Sequence, residues 1–144
     1  RVIVLVGHTT LRVAAMSRLD RAATPEETTR MQELARAALA AGAVGLSTGT
    51  YYPPAAHATT EEIIAVAQPL KAYGGRYVTH MRYEDDRIAE AMEETFRIGR
   101  EVGVPVIISH HKVVGRKNFG RPRKLPVFDG LGDTPPFFRC CRGP

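Results

Sequence analysis

Tyr77-Val78-Thr79-His80-Met81-Arg82 and, about thirty residues on, Val106-Ile107-Ile108-Ser109-His110-His111-Lys112 are two apolar runs that each end in a polar cluster containing histidine. Between them, Asp85 and Asp86 place negative charge where the N-terminal dipole of a helix favours it. Ile88, Ala91, Met92, Thr95, Phe96 and Gly99 then recur at three- and four-residue steps as one buried helical face, and Gly103 ends it. Strand, helix and strand at this spacing form a parallel βαβ unit.

The same order extends towards the N-terminus. Val2-Ile3-Val4-Leu5-Val6 is a continuous run that predicts a strand buried on both faces, closed by Gly7-His8-Thr9-Thr10. Thr24-Pro25-Glu26-Glu27 supplies an N-cap, a first-turn proline and a glutamate at the third helical position, so a helix should run from Pro25 to about Ala41. Met31, Leu34, Ala35, Ala38 and Leu39 stripe it. Ala43-Val44-Gly45-Leu46 predicts a second strand, which runs out into Ser47-Thr48-Gly49-Thr50-Tyr51-Tyr52-Pro53-Pro54. Thr59-Thr60-Glu61-Glu62 repeats the capping box, and Ile63, Val66, Ala67 and Leu70 stripe a helix stopped by Gly74-Gly75. The fold class is α/β. No Gly-x-Gly-x-x-Gly turn follows the first strand, which removes the main support for a dinucleotide-binding open sheet. The repeat of about thirty residues fits a partial TIM-type (β/α) barrel better, with about four β/α units over residues 1–120; a whole barrel takes about 250 residues.

Composition is that of a globular chain, with 44% hydrophobic and 24% charged residues. No apolar run approaches the ~18 residues of a membrane span. The net charge of +5 is unevenly spread: residues 1–111 carry 12 Lys/Arg against 13 Asp/Glu, whereas residues 112–144 carry 8 against 2. The basic excess therefore belongs to a Gly/Pro-rich segment, residues 121–144, expected to be an irregular tail, and composition argues against nucleic acid as the partner. Cys140 and Cys141 are adjacent and cannot staple distant elements, which favours a reducing, cytoplasmic setting. A chain that opens on Arg1 and enters a strand at once reads as a fragment of something longer.

In parallel α/β folds chemistry gathers at the carboxyl ends of the strands. Those ends hold His8, Tyr52, His80, Arg82, Glu84, His110, His111 and Lys112. One imidazole on each of two neighbouring strands brings two nitrogens to one side of a metal, so His80 and His110 are the candidate metal pair. A catalytic zinc site needs three protein ligands and a water, so the pair is incomplete by itself. A lone His80 would otherwise be a strand cap, bonded to a neighbouring loop. His8 reads as a turn residue, a second layer behind the site, or a substrate contact, and His57 as a surface residue. Arg82 and Glu84 read equally well as an ion pair holding the loop after His80 or as substrate contacts.

Gly42-Ala43-Val44-Gly45-Leu46-Ser47-Thr48-Gly49 with Tyr52-Pro53-Pro54, Thr79-His80-Met81-Arg82-x-Glu84, and Ser109-His110-His111-Lys112 with Gly115-x-x-Asn118-x-Gly120-Arg121 carry a resemblance to the N-acyl-D-amino-acid deacylases of the amidohydrolase superfamily. Leu5-Val6-Gly7-His8-Thr9-Thr10-Leu11-Arg12 resembles that family too, which more often has glycine at Thr9. The resemblance covers about residues 1–121. It implies a zinc-dependent barrel that hydrolyses the amide of an N-acyl-D-amino acid to a carboxylate and a free D-amino acid. His80 and His110 match its zinc ligands, with His111 pointing off the site, and Tyr52 and Lys112 match positions around the substrate. The family's His-x-His pair, its cysteine ligand and its general acid/base aspartate have no counterpart in this sequence, so no residue of the acid/base machinery is assigned.

Two readings follow from different classes. In one, the chain is part of a deacylase, inactive alone. In the other, a non-enzymatic half-barrel self-associates through its exposed sheet edges and holds zinc weakly.

Overall fold

The computed structural model describes residues 2–118. The expected irregular tail over residues 121–144, with Cys140 and Cys141, lies outside the described residues. The elements follow one another as β1 (Val6–Gly7), α1 (His8–Ala15), α2 (Pro25–Ala40), β2 (Gly45–Gly49), α3 (Pro53–Ala56), α4 (Thr60–Ala67), α5 (Pro69–Ala72), β3 (Arg76–His80), α6 (Ile88–Val102) and β4 (Val106–Ile108), with a 3-10 turn at Arg116–Asn118. All four strands pair in parallel in the order β1-β2-β3-β4. The α/β class and the parallel sheet are thus as the sequence predicts.

Helix α2 starts where its capping box places it. Thr24 Oγ1 accepts from the Glu27 N–H, and Glu27 Oε2 accepts from the Thr24 N–H at 2.9 Å. Its buried line is Met31, Ala35 and Leu39, narrower than the predicted stripe, since Leu34 sits at the exposed edge. The second box is only half formed: Thr59 caps Glu62 N–H, but the Glu62 carboxylate turns inward instead of back to Thr59. Pro69 divides the predicted second helix into α4 and α5, because its ring cannot continue the hydrogen-bond ladder. Gly103, at φ 74°, ends α6 in the left-handed conformation that glycine adopts without cost.

Leu46, Tyr77 and Val106 of three successive strands join Met31, Ala35, Leu39, Ile63, Val66, Leu70, Ile98 and Val102 of the helices in the main core. Helix α2 packs on α4, and α4 on α6. A smaller cluster of Met81, Ile88, Ala91 and Met92 supports the β3–α6 turn.

Two expectations at the N-terminus are corrected. Pairing of the first strand is confined to Val6–Gly7, with Val4 O accepting from Val44 N–H, and Val2 and Ile3 are 90% and 76% exposed instead of buried on both faces. The strand lies at the edge of the described four-stranded sheet, so β2 is its one strand neighbour there. Further, His8 does not close a loop but begins helix α1, whose inner face buries the polar pair His8 and Arg12 beside Leu11.

Candidate metal centre

The ladder between β3 and β4 sets the height of the site. Thr79 stands beside Ile108, and Ser109 N–H donates to Thr79 O at 2.9 Å, so His80 and His110 leave the sheet just past the same rung. Their rings meet edge to face with centroids 4.6 Å apart. Under this end of the sheet the Thr48 hydroxyl bonds both the Tyr77 hydroxyl (2.9 Å) and the Thr79 hydroxyl (2.8 Å), a buried polar layer that fixes the two strands relative to each other. Burial pushes the Tyr77 phenol up to about 12.

A third donor comes from the loop after β3. The side chain of Glu84 is buried, with Oε1 3.6 Å from His80 Nε2 and 3.0 Å from His110 Nδ1, and the metal-ligating atoms of the three residues all lie within 4.8 Å of one another. The loop is held by Val114 N–H on Glu84 O and by the Asn118 amide on Asp86 Oδ1 (2.7 Å) and Val114 O (2.9 Å). The His80 Nδ1 lies 3.2 Å from Met81 O, and a carbonyl only accepts, so Nδ1 carries the hydrogen and Nε2 offers its lone pair to the group. Among the described residues, Glu84 Oε1 and His110 Nδ1 are buried without a hydrogen-bond partner. Two such atoms facing each other, beside a third lone pair, are what a divalent cation satisfies, and two imidazoles with a carboxylate suit zinc.

Other predicted site residues fall into place around or away from this group. Lys112 Nζ lies 3.3 Å from Glu84 Oε2, with its side chain half-exposed. Tyr52, its ring centroid 5.1 Å from His80, and Tyr51, at 5.6 Å, form an aromatic wall. His111 stands outside the three-residue group; its Nε2 is buried without a partner among the described residues, and burial lowers its pKa. The paired strand ends at Ile108, so strand alternation does not reach it.

Of the two readings of Arg82 and Glu84, the mutual ion pair does not form. Arg82 instead grips Glu94 of α6, with Nη2 2.7 Å from Oε1 and Nε 2.9 Å from Oε2, and points to the helix side while Glu84 turns to the histidines. His8 is likewise remote in its bonding: its Nε2 meets Glu62 Oε1 at 3.1 Å, in a buried cluster with Arg12. Glu62 Oε2 accepts from Ala23 N–H at 2.9 Å. Burial alone would raise the Glu62 pKa, but the hydrogen bonds from His8, Arg12 and Ala23 outweigh it and the net direction is down. His57 makes no part of either cluster.

No protein-family model matches the chain. It is 62% identical over 126 residues to a D-aminoacylase of Alcaligenes xylosoxydans xylosoxydans, an alignment covering 87% of this chain and 26% of that protein. The crystal structure of a D-aminoacylase described as defining a novel subset of amidohydrolases superposes with a TM-score of 0.82 at 62% identity, over 83% of this chain and 25% of its own. An N-acyl-D-glutamate deacylase of Bordetella bronchiseptica, solved with zinc and a phosphonate mimic of the tetrahedral intermediate, gives a TM-score of 0.83 at 41% identity, over 87% and 26%. The chain spans about a quarter of the length of the relatives it matches.

Proposed function

We propose that this chain, homologous to a quarter-length segment of the N-acyl-D-amino-acid deacylases, supplies part of the zinc-centred active site of such an enzyme. The observation that carries the reading is the facing pair of buried, unpartnered atoms, Glu84 Oε1 and His110 Nδ1, beside His80 Nε2. These three residues hold the metal. A zinc ion held there would supply Lewis-acid chemistry, polarising the amide carbonyl of an N-acyl-D-amino acid and acidifying a water.

The chain's own residues bind and orient. Lys112, whose half-exposed ammonium rests on Glu84, receives the free carboxylate of the substrate. Tyr52, half-exposed beside His80, offers its ring to the flank of a substrate held there. The general acid/base and the remaining ligands come from further sequence of the longer protein. Sequential strand order with α2, α4 and α6 side by side supports a partial (β/α) barrel for this segment. Among the described residues no helix is long and apolar enough to cross a membrane.

The test is zinc stoichiometry with a deacylase assay on N-acetyl-D-methionine. The chain should bind zinc, lose it in His80→Ala and in His110→Ala, and show no turnover by itself. Unchanged stoichiometry in both variants would remove the ligands, and turnover by the chain alone would contradict its incompleteness. The exposed Val2, Ile3 and Val4 on the β1 edge favour one further reading, a non-enzymatic half-barrel pairing there with a second copy. Sedimentation of the chain as a monomer would exclude it.

A further inference from the structure

The segment that carries Tyr51 and Tyr52 to His80 closes a few backbone hydrogen bonds of its own, from Ala55 and Ala56 N–H to Tyr52 O and from Ala58 N–H to Ala55 O, and takes the rest from other elements. At its near end, Tyr52 N–H donates to Gly49 O at 3.1 Å. Helix α3 has only four residues, so it cannot satisfy all its own carbonyls: Ala55 O accepts from Ala58 N–H, while Pro54 O and Ala56 O turn to side chains. Two arginines from outside the segment reach them. Arg12 of α1 donates Nε–H to Pro54 O at 2.8 Å. Arg82, two residues beyond His80, donates Nη1–H to Ala56 O at 2.9 Å and Nη2–H to Ala58 O at 2.8 Å.

Each guanidinium is itself fixed by a glutamate from a helix behind it. Glu62 of α4 holds Arg12, which is fully buried and also donates to Leu19 O at 3.3 Å and Arg21 O at 2.6 Å. Glu94 of α6 holds Arg82 through Nε and Nη2. A planar fork with five fixed donors can satisfy a carboxylate and two carbonyls together; an ammonium with one nitrogen cannot span the same set. Neither arginine belongs to the His80, Glu84 and His110 group.

We infer that Arg12 and Arg82 are positioning residues that clamp the Pro54–Ala58 backbone from two sides and thereby set the Tyr51–Tyr52 wall against His80. With the function proposed above, that wall shapes the substrate side of the pocket; the clamp itself does not depend on that function.

The ring of Tyr52 is near enough to His80 to shift its ring-proton resonances, which gives a direct readout in the full chain. Tyr52→Ala defines the spectrum without the wall. Arg82→Lys and Arg12→Lys should each move the His80 ring resonances in the direction of Tyr52→Ala, while the resonances of buried Tyr77 stay in place as a control for the fold. Zinc affinity should remain within about twofold of the parent chain, since the clamp shares no atom with the ligands. If Arg12→Lys fails to fold, the more accessible Arg82→Lys decides alone. His80 resonances unmoved in folded Arg82→Lys, with Tyr52→Ala shifting them, overturn the clamp. Moved resonances in a chain that binds no zinc would leave the clamp standing and remove the metal reading instead.

Discussion

Glu84 Oε1 stands 3.0 Å from His110 Nδ1, and among the described residues neither atom has a hydrogen-bond partner. The two atoms are already at ion-pair distance and can pair through a proton on Nδ1, so a metal ion that takes both displaces that proton and, by binding only the folded chain, stabilises it by mass action. Zinc should therefore raise the unfolding midpoint of the chain, by about 2.7 kcal/mol at a concentration one hundred times its Kd. Glu84→Gln keeps the shape but removes the charge, and should lower zinc affinity about 10- to 100-fold, as loss of a charged partner at a metal typically does. Calorimetric titration and denaturation with and without chelator measure both. A zinc affinity untouched by the substitution would take Glu84 out of the site.

The buried cluster of His8, Arg12 and Glu62 gives a second expectation. Among the described residues Glu62 is the only carboxylate bonded to the fully buried Arg12, and it also receives His8 and the Ala23 N–H. Removing one partner of a buried pair strands the other's charge, at a cost of about 3–5 kcal/mol. Glu62→Ala should lower chain stability by that amount in urea denaturation, and far more than Glu61→Ala, whose partner Arg97 is exposed. Equal effects of the two would show that the cluster contributes no more than a surface pair.

How much of this was legible in the sequence depended on the range of the interaction. Thr24-Pro25-Glu26-Glu27 is local, and α2 begins where it says. The parallel order and the candidate metal pair follow from strand-end histidines spaced by one βαβ unit, and both histidines reach one site. Helix α1 escaped because its buried side is mostly polar: beside Leu11 it carries His8 and Arg12, one turn apart, and their partner Glu62 is fifty residues on. The four-residue spacing was the available signal, but nothing local says that such a face is buried. Glu62 was misleading for the same reason, since a glutamate at the third position of a capping box is equally free to turn into the core. Arg82 and Glu84 stand at i, i+2, a spacing that shares one face in an extended segment, but the strand ends at His80 and the turn beyond it sends each to a partner elsewhere.

Acid should destabilise the fold through the carboxylates. The Glu27 carboxyl is lowered to about 2 from an ordinary 4.5, first by the Arg21 guanidinium and then by the Thr24 N–H, and Glu62 is also lowered on balance. A carboxyl depressed in the folded state contributes stability that is fully present above its unfolded pKa and is lost as pH falls through the folded one. The urea midpoint should accordingly fall as pH drops from about 4.5 towards 2, and the fall should be shallower in Glu27→Gln. The same pH slope in the variant would mean that the Arg21–Glu27 contact is not kept in solution.

Gly99 and Val106 give the last expectation, at the contact that holds β4, and with it His110, against α6. A Cβ built on Gly99 would overlap Val106 Cγ2, and Val is stiff about its first side-chain torsion, so neither side chain can turn away. Gly99→Ala would gain helix propensity of up to about 1 kcal/mol in the middle of α6, but overpacking costs about 1–3 kcal/mol, and the net change should be destabilising. Val106→Ala alone leaves a cavity and also destabilises. Combined, the added methyl fills the space the valine gave up, so the double variant should be more stable than the two single losses added together, a coupling of about 0.5–3 kcal/mol for residues in direct contact. Urea denaturation of the four chains closes the cycle. Simple additivity would show that α6 and β4 do not approach this closely, and the placement of His110 beside His80 would lose its support from the core.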